Sequence, residues 1–153
     1  MHNYKMILVP VDFSEHSEQA VGRAVNMAAL YEADIELFHV TEVPTYPVLE
    51  DIAVTGAPGI WDVELTQEIV EAAEQRLHKL AKENGLKPEQ CKVVVGVPSV
   101  DIVARAEEVE ADLIVMGRHG LSFLEKLVGS TTDAVMHYAK CDVMAVYKAK
   151  NES

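Results

Sequence analysis

Asp112-Leu-Ile-Val-Met116, followed at once by Gly117-Arg-His-Gly120, is the stretch that decides the fold. An apolar run that breaks at glycine predicts a buried β-strand that ends in a loop. A third glycine and three hydroxyl residues follow in Gly129-Ser-Thr-Thr132, where a segment with helical spacing begins. Backbone N–H groups, hydroxyls and a helix N-terminus therefore converge in one loop system, which is the chemistry of a phosphate site. Three ordinary turn glycines are an equally acceptable interpretation of this stretch taken alone.

Strand and helix patterns alternate along the whole chain. Apolar strands are predicted at Lys5–Val11, Asp34–Val40, Lys92–Val95, Asp112–Met116 and Asp142–Tyr147. Helices are predicted after the N-cap candidate Ser14, over Val63–Asn84, from Pro98 and after Gly129. Strands that are apolar on both faces and are separated by amphipathic helices indicate a parallel sheet covered on both sides. We predict one α/β domain over residues 1–153, with a doubly wound five-stranded parallel sheet in the order 3-2-1-4-5 and helices on both faces.

The segments between the strands carry further information. The first two predicted helices each present one apolar face, made by Ala20, Val21, Ala24, Val25 and Ala28 in the first and by Leu65, Ile69, Ala73, Leu77 and Leu80 in the second. The segment from Thr41 to Ile60 is too long for a tight connection and is partly apolar. We expect either a binding loop or a surface flap without function there.

Composition and charge exclude several classes of function. The 153 residues carry a net charge of −12, so polyanions such as DNA and RNA are poor partners. No window approaches the length of an apolar membrane span, and the first residues do not form a signal peptide. Cys91, Cys141 and the scattered histidines lack metal-site spacing, and we expect the cysteines to be buried thiols. The chain is therefore expected to be cytoplasmic and to hold no metal ion through its own side chains.

The predicted topology brings two loops together. Val9-Pro-Val-Asp-Phe-Ser14 follows the first strand, and Gly117–Thr132 follows the fourth. In a doubly wound sheet, ligands bind at the carboxyl ends of the strands, where the strand order reverses. If the first and fourth strands are neighbours, these two loops face each other across one crevice.

The sequence resembles a known family, the universal stress proteins, and within it the single-domain, ATP-binding type. The resemblance covers nearly the whole chain and rests on Ile7–Ser14, Leu37–Val40, Gly96–Pro98 and Ala111–Gly117. ATP-binding members of the family carry the pattern Gly-x2-Gly-x9-Gly-Ser/Thr. Here Gly117 and Gly120 match, but eight residues rather than nine stand between Gly120 and Gly129.

The resemblance implies an adenine-nucleotide site. Pro10, Val11 and Asp12 would line the adenine and ribose side, Val40 would contact the base, and Met116 and Gly117 would pass close to the sugar. The phosphates would be held by Gly120, Gly129, Ser130 and Thr131. Two ambiguities remain open at the level of sequence. Asp12 could instead cap a helix, and Arg118 and His119 could either meet phosphate charge or be solvated loop residues.

These residues predict an ATP-binding, stress-response regulatory protein that binds rather than turns over its nucleotide, with ATP as cofactor, with or without Mg²⁺, and with no catalytic residues. The chain has no Gly-x4-Gly-Lys-Ser/Thr loop and no evident second carboxylate beside the glycine loop. The alternative is a slow ATP hydrolase or a nucleotide-dependent transferase. A flavodoxin-like electron carrier is less favoured, because Asp12–Ser17 is not the Ser-, Thr- and Gly-rich loop that FMN requires.

The fifth strand predicts an assembly. In the order 3-2-1-4-5 it forms an edge, and it runs from Val143 through Ala145 to Tyr147 without a charged residue. An unpaired apolar edge favours association. We expect a two-fold homodimer through this strand, as is common in the family, unless the tail from Lys148 to Ser153 covers the edge.

Overall fold

The computed structural model describes residues 3–42, 63–119 and 129–147. Its strands are β1 (Met6–Pro10), β2 (Asp34–Thr41), β3 (Cys91–Val95), β4 (Leu113–Gly117) and β5 (Asp142–Val146). Its helices are α1 (Glu15–Tyr31), α2 (Val63–Glu83), α3 (Pro98–Glu108) and α4 (Ser130–Tyr138), with a short 3₁₀ turn at Pro88–Gln90. Each strand lies within one residue of its predicted ends, and the predicted alternation is confirmed.

The five strands form one parallel sheet in the order β3-β2-β1-β4-β5, which confirms the predicted topology. β1 lies in the centre, where Ile7 pairs with Ile35 of β2 and Leu8 pairs with Ile114 of β4. Its central side chains are completely buried. β3 and β5 are the two edges, and their side chains are largely half-exposed.

Helices cover both faces of the sheet, as predicted. On one face, Ile7, Val9 and Val115 pack with α1 and α2. On the other face, Leu8 and Ile114 pack with α3 and α4. The alternation of side chains along each strand therefore divides the core into two layers, and both layers end at the carboxyl edge of the sheet. No helix in the described ranges is long and apolar enough to cross a membrane.

The ends and faces of the helices follow local chemistry. Ser14 is the N-cap of α1, as predicted, and its hydroxyl accepts a hydrogen bond from the Ser17 N–H at 3.2 Å. Gly85, with a φ of 75°, follows the end of α2 in a left-handed conformation that glycine adopts without a steric penalty. The prediction for Leu65 is wrong, because it is 47% exposed. The core contacts of α2 come from its later turns, at Leu77, Leu80 and Ala81.

The cysteines also differ from expectation. Both are free thiols, but they are only half-buried rather than buried. Partial burial still raises the pKa of Cys91 to about 11 and raises that of Cys141, so both thiols stay protonated at neutral pH. Of the predicted segment from Thr41 to Ile60, only Thr41 and Glu42 fall within the described residues.

Candidate functional site

A cavity of about 550 Å³ opens at the carboxyl edge of the sheet, where β1, β2 and β4 end. Its size lies within the range of about 300–1,000 Å³ that is usual for small-molecule sites. The cavity brings together ten of the residues implied by sequence: Pro10, Val11, Asp12, Val40, Met116, Gly117, His119, Gly129, Ser130 and Thr131. The two loops thus face each other, as the predicted strand order requires.

Two implied residues are not part of this lining. Gly120 lies outside the described residues. Arg118 does not line the cavity, because its guanidinium lies 5.4 Å from the centre of the Tyr147 ring, beside β5. Its backbone instead supports the site, since the Arg118 carbonyl accepts a hydrogen bond from the Gly129 N–H at 3.0 Å.

The loop after β1 holds Asp12 at the cavity. Asp12 Oδ1 accepts a hydrogen bond from the Ser14 N–H at 2.9 Å, while Ser14 itself caps α1. Asp12 therefore shapes the turn that leads into the helix and is not the helix cap. Between them, Phe13 has a φ of 65°, a left-handed conformation that is uncommon for a residue with a bulky side chain.

Gly117 ends β4 against the first turn of α1. A Cβ atom at this position would lie 2.8 Å from the His16 carbonyl carbon and 2.9 Å from the Ser17 nitrogen. The Gly117 carbonyl accepts a hydrogen bond from the buried Thr132 hydroxyl at 2.8 Å. Glycine at this position thus has a packing role that is independent of any ligand.

The glycine-rich segment contributes the N-terminus of α4. Gly129 is the N-cap, and it offers no side chain to the N–H groups of the first turn. These N–H groups have no partner within a helix and carry the positive end of its dipole. Since the Gly129 N–H already binds the Arg118 carbonyl, the donors that this helix end presents at the cavity come from the residues after it, Ser130, Thr131 and Thr132.

One wall of the cavity is apolar. Phe38, Val40, Ile102 and Met116 are buried in the layer formed by α3 and α4 and also line the cavity. Within the described lining, the formally charged side chains are the carboxylates of Asp12 and Glu42. The arrangement suits a ligand with a flat apolar ring, hydroxyl groups near a carboxylate and an anionic end at α4.

His119 is almost fully buried at this cavity, with 2% of its surface exposed. Its ring packs edge-on against that of His16, with the ring centres 5.2 Å apart. This is a packed environment rather than that of a solvated loop residue. The pair lies between the start of α1 and the end of β4, next to Gly117.

Several lining residues were not anticipated from the sequence, namely Ser17, Phe38, His39, Thr41, Glu42, Pro98 and Ile102. Those on β2 could have been found, because the predicted order places the carboxyl end of β2 beside that of β1. His39 also has a specific contact: its Nδ1 lies 2.6 Å from the Val11 carbonyl oxygen. Burial lowers the pKa of His39 below its usual 6.5, which favours the neutral ring.

Comparison with known proteins places the chain in a family. The family model described as universal stress protein family matches residues 3–147, and the chain belongs to this family. Universal stress protein MJ0531 of Methanocaldococcus jannaschii is 36% identical over 152 residues, covering 97% of this chain and 85% of that protein. Universal stress protein A homolog 1 of Coxiella burnetii is 35% identical over 148 residues, covering 96% and 98%.

Solved structures share the fold over the full chain. The protein MJ0577 superposes with a TM-score of 0.76 at 30% identity, covering 98% of this chain and all of that one (100%). A universal stress protein in complex with cAMP superposes with a TM-score of 0.57 at 29% identity, covering 97% of this chain and 100% of that one. A protein of this family and fold thus binds an adenine nucleotide.

Proposed function

We propose that the protein binds an adenine nucleotide, ATP in particular, in the cavity at the carboxyl edge of the sheet, and that it acts in the cytoplasm as a stress-response regulator. The observation that carries this proposal is the combination of an apolar slot with the N-terminus of α4 in one cavity. The cAMP complex of a family member supports the class of ligand.

Each part of the nucleotide has a matching surface. The base would lie against the apolar side chains of Val40 and Met116, which line the cavity and are 7% and 5% exposed. The Asp12 carboxylate, which also lines the cavity, would accept hydrogen bonds from the ribose hydroxyls. Phosphate oxygens would accept hydrogen bonds from the Ser130 and Thr131 N–H groups at the positive end of α4. This helix end offsets the two carboxylates of the described lining.

Substitution of Ser130 tests this placement. Ser130 is exposed in the first turn of α4, so an aspartate there favours the helix dipole and leaves the fold intact. Ser130→Asp should weaken ATP binding about tenfold or more by repelling the phosphates, which corresponds to about 1.4 kcal/mol. In the control Ser130→Asn, the side chain has nearly the size of aspartate but no charge, so this variant should bind ATP much as the parent does. Equal ATP affinity of all three proteins by calorimetry would show that the phosphates lie elsewhere.

We also propose binding rather than turnover. Among the described residues, no lysine or arginine lines the cavity to stabilise charge on a transferring phosphoryl group. Asp12 and Glu42 are oxygen ligands of the kind that Mg²⁺ accepts, and they favour slow hydrolysis as the second candidate. We expect ATP hydrolysis far below the enzyme median of about 10 s⁻¹. A rate near that value, lost in Asp12→Asn, would establish the enzyme instead.

The exposed strand β5 supports the proposal of a homodimer. It is an edge of the sheet, and Val143 and Ala145 are half-exposed on it, with Tyr147 46% exposed at its end. A proline at Ala145 should disturb this edge and weaken the dimer, whereas Ala145→Val keeps the N–H group and serves as the control. Light scattering at micromolar concentration provides the measurement. A monomeric mass for the parent protein would refute the assembly.

A further inference from the structure

Three side chains from three elements form a stack beside the cavity. The Phe13 ring contacts the Arg76 guanidinium of α2, which lies 4.2 Å from the ring centre, and the His39 ring of β2, whose centre is 4.6 Å away. Phe13 itself lies in the loop between β1 and α1, directly after Asp12. The stack therefore connects that loop to both α2 and β2.

The stack stabilises an unfavourable backbone conformation. Phe13 has a φ of 65°, in the left-handed region that residues other than glycine, asparagine and aspartate rarely adopt. Such a conformation persists only where the surrounding contacts impose it, and it is most frequent at functional sites. Here the contacts are those of the Phe13 ring with Arg76 and His39.

His39 also fixes the other side of Asp12. Its Nδ1 lies 2.6 Å from the Val11 carbonyl oxygen. A carbonyl oxygen only accepts, so Nδ1 carries the hydrogen and donates it, which determines the tautomer of the neutral ring. The Val11 N–H in turn donates to the Phe38 carbonyl at 2.8 Å. Thus β2 holds the chain beyond the end of β1, up to the residue that precedes Asp12.

We propose that His39 and Phe13 are positioning residues for the ligand, which hold Asp12 so that its carboxylate accepts hydrogen bonds from the ribose hydroxyls. The proposal rests on the proposed nucleotide-binding function. Asp12 stands between the two fixed residues, and its own Oδ1 receives the Ser14 N–H at 2.9 Å. Asp12 is therefore held through its two chain neighbours, Val11 and Phe13, without a need for the His39 or Phe13 side chain to touch the ligand.

The test compares substitutions of His39 that differ in where they carry a donor. His39→Asn places an amide N–H near the position of Nδ1 and retains the bond to Val11. His39→Gln carries its amide further out, near the position of Nε2, and His39→Leu has no donor. Binding of ATP and of 2′,3′-dideoxy-ATP, which lacks both ribose hydroxyls, is measured by calorimetry on the full chain.

A positioning role predicts a specific pattern of nucleotide preference among these variants. The parent and His39→Asn should prefer ATP over the dideoxy nucleotide, and the preference should fall about tenfold in His39→Gln and His39→Leu. A role in packing alone would weaken both nucleotides equally and leave the preference unchanged. Phe13→Gly gives a second variant that stays folded, because glycine adopts a positive φ without penalty, and it should also lose the preference.

The outcomes separate this proposal from the one on which it rests. A parent protein that binds neither nucleotide overturns the proposed function, and the positioning role with it. If the parent binds ATP and the dideoxy nucleotide equally, the positioning role is overturned and the proposed function stands. The same holds if His39→Leu and Phe13→Gly retain the preference for ATP. In a double-mutant cycle, Asp12→Asn combined with His39→Leu should lose no more of the preference than Asp12→Asn alone.

Discussion

Replacement of Gly117 by alanine would test whether this glycine is required by the fold itself. The added Cβ would lie 2.8 Å from the carbonyl carbon and Cβ of His16 and 2.9 Å from the nitrogen of Ser17, whereas ordinary contacts begin at 3.4 Å. These neighbours include backbone atoms of a capped and buried helix turn. Ser14 binds the Ser17 N–H at 3.2 Å and its carbonyl accepts the Ser17 hydroxyl at 3.0 Å, so the turn resists displacement.

The expected magnitude follows from this rigidity. Overpacking of a core typically costs about 1–3 kcal/mol, and a clash with backbone should lie near the upper end. For a chain of this size, a loss of 2–3 kcal/mol corresponds to a fall of about 4–12 °C in Tm. The matched control is Gly22→Ala within α1, where a Cβ meets no atom within 4 Å. That substitution should stabilise the protein by about 0.5–1 kcal/mol, because alanine is the better helix former.

Urea unfolding without nucleotide, monitored by circular dichroism, gives the free energy of unfolding of each of the two glycine variants and of the parent. Omitting the nucleotide separates the packing effect from any effect on the ligand. Opposite signs for the two glycine substitutions would support the packing role of Gly117. A Gly117→Ala protein as stable as the parent would refute it, and the requirement for glycine would then have to come from the ligand.

Two further predictions concern stability. Thr132→Val keeps the side-chain volume but removes the donor to the Gly117 carbonyl, so we expect a loss of about 1–3 kcal/mol, and an unchanged urea midpoint would contradict this. Burial lowers the pKa of His39 in the folded state, so the unfolded state binds the proton more readily. The neutral His39 ring therefore contributes stability that is present above the usual pKa of 6.5. This contribution is lost as the pH falls from 6.5 through the folded-state pKa. His39→Asn should lack this contribution, and parallel stability curves for the two proteins across that window would refute the assignment.

Much of the fold could be predicted because the pattern leaves few solutions. Five apolar strands separated by helices, with right-handed crossovers, nearly determine a parallel doubly wound sheet. The predicted order places β3 correctly at an edge, although Val93, Val94 and Val95 have the apolar character of a buried strand and Val95 is 41% exposed. Leu65 likewise fits the helical pattern of α2, but periodicity does not show where a helix extends beyond the core.

The site was partly predictable for a related reason. Loops after β1 and β4 meet because those strands are neighbours, whereas the stack of Arg76, Phe13 and His39 joins residues that are far apart in sequence. No local pattern indicates such a contact, and no local pattern indicates a left-handed Phe13. Arg118 carries the charge that suits a phosphate-binding residue, yet its guanidinium lies over the Tyr147 ring.

The strand order has a consequence for synthesis on the ribosome. β1 is the central strand and the first of the five to be made, but its partner β4 follows about a hundred residues later, with Leu8 opposite Ile114. At translation rates of about 5–20 residues per second, the β4 side of β1 waits roughly 5–20 s for its partner. During that interval Ile7, Leu8 and Val9, which are fully buried in the finished protein, border an unpaired strand edge. The nascent chain is therefore most exposed to aggregation and to chaperone binding before β4 emerges.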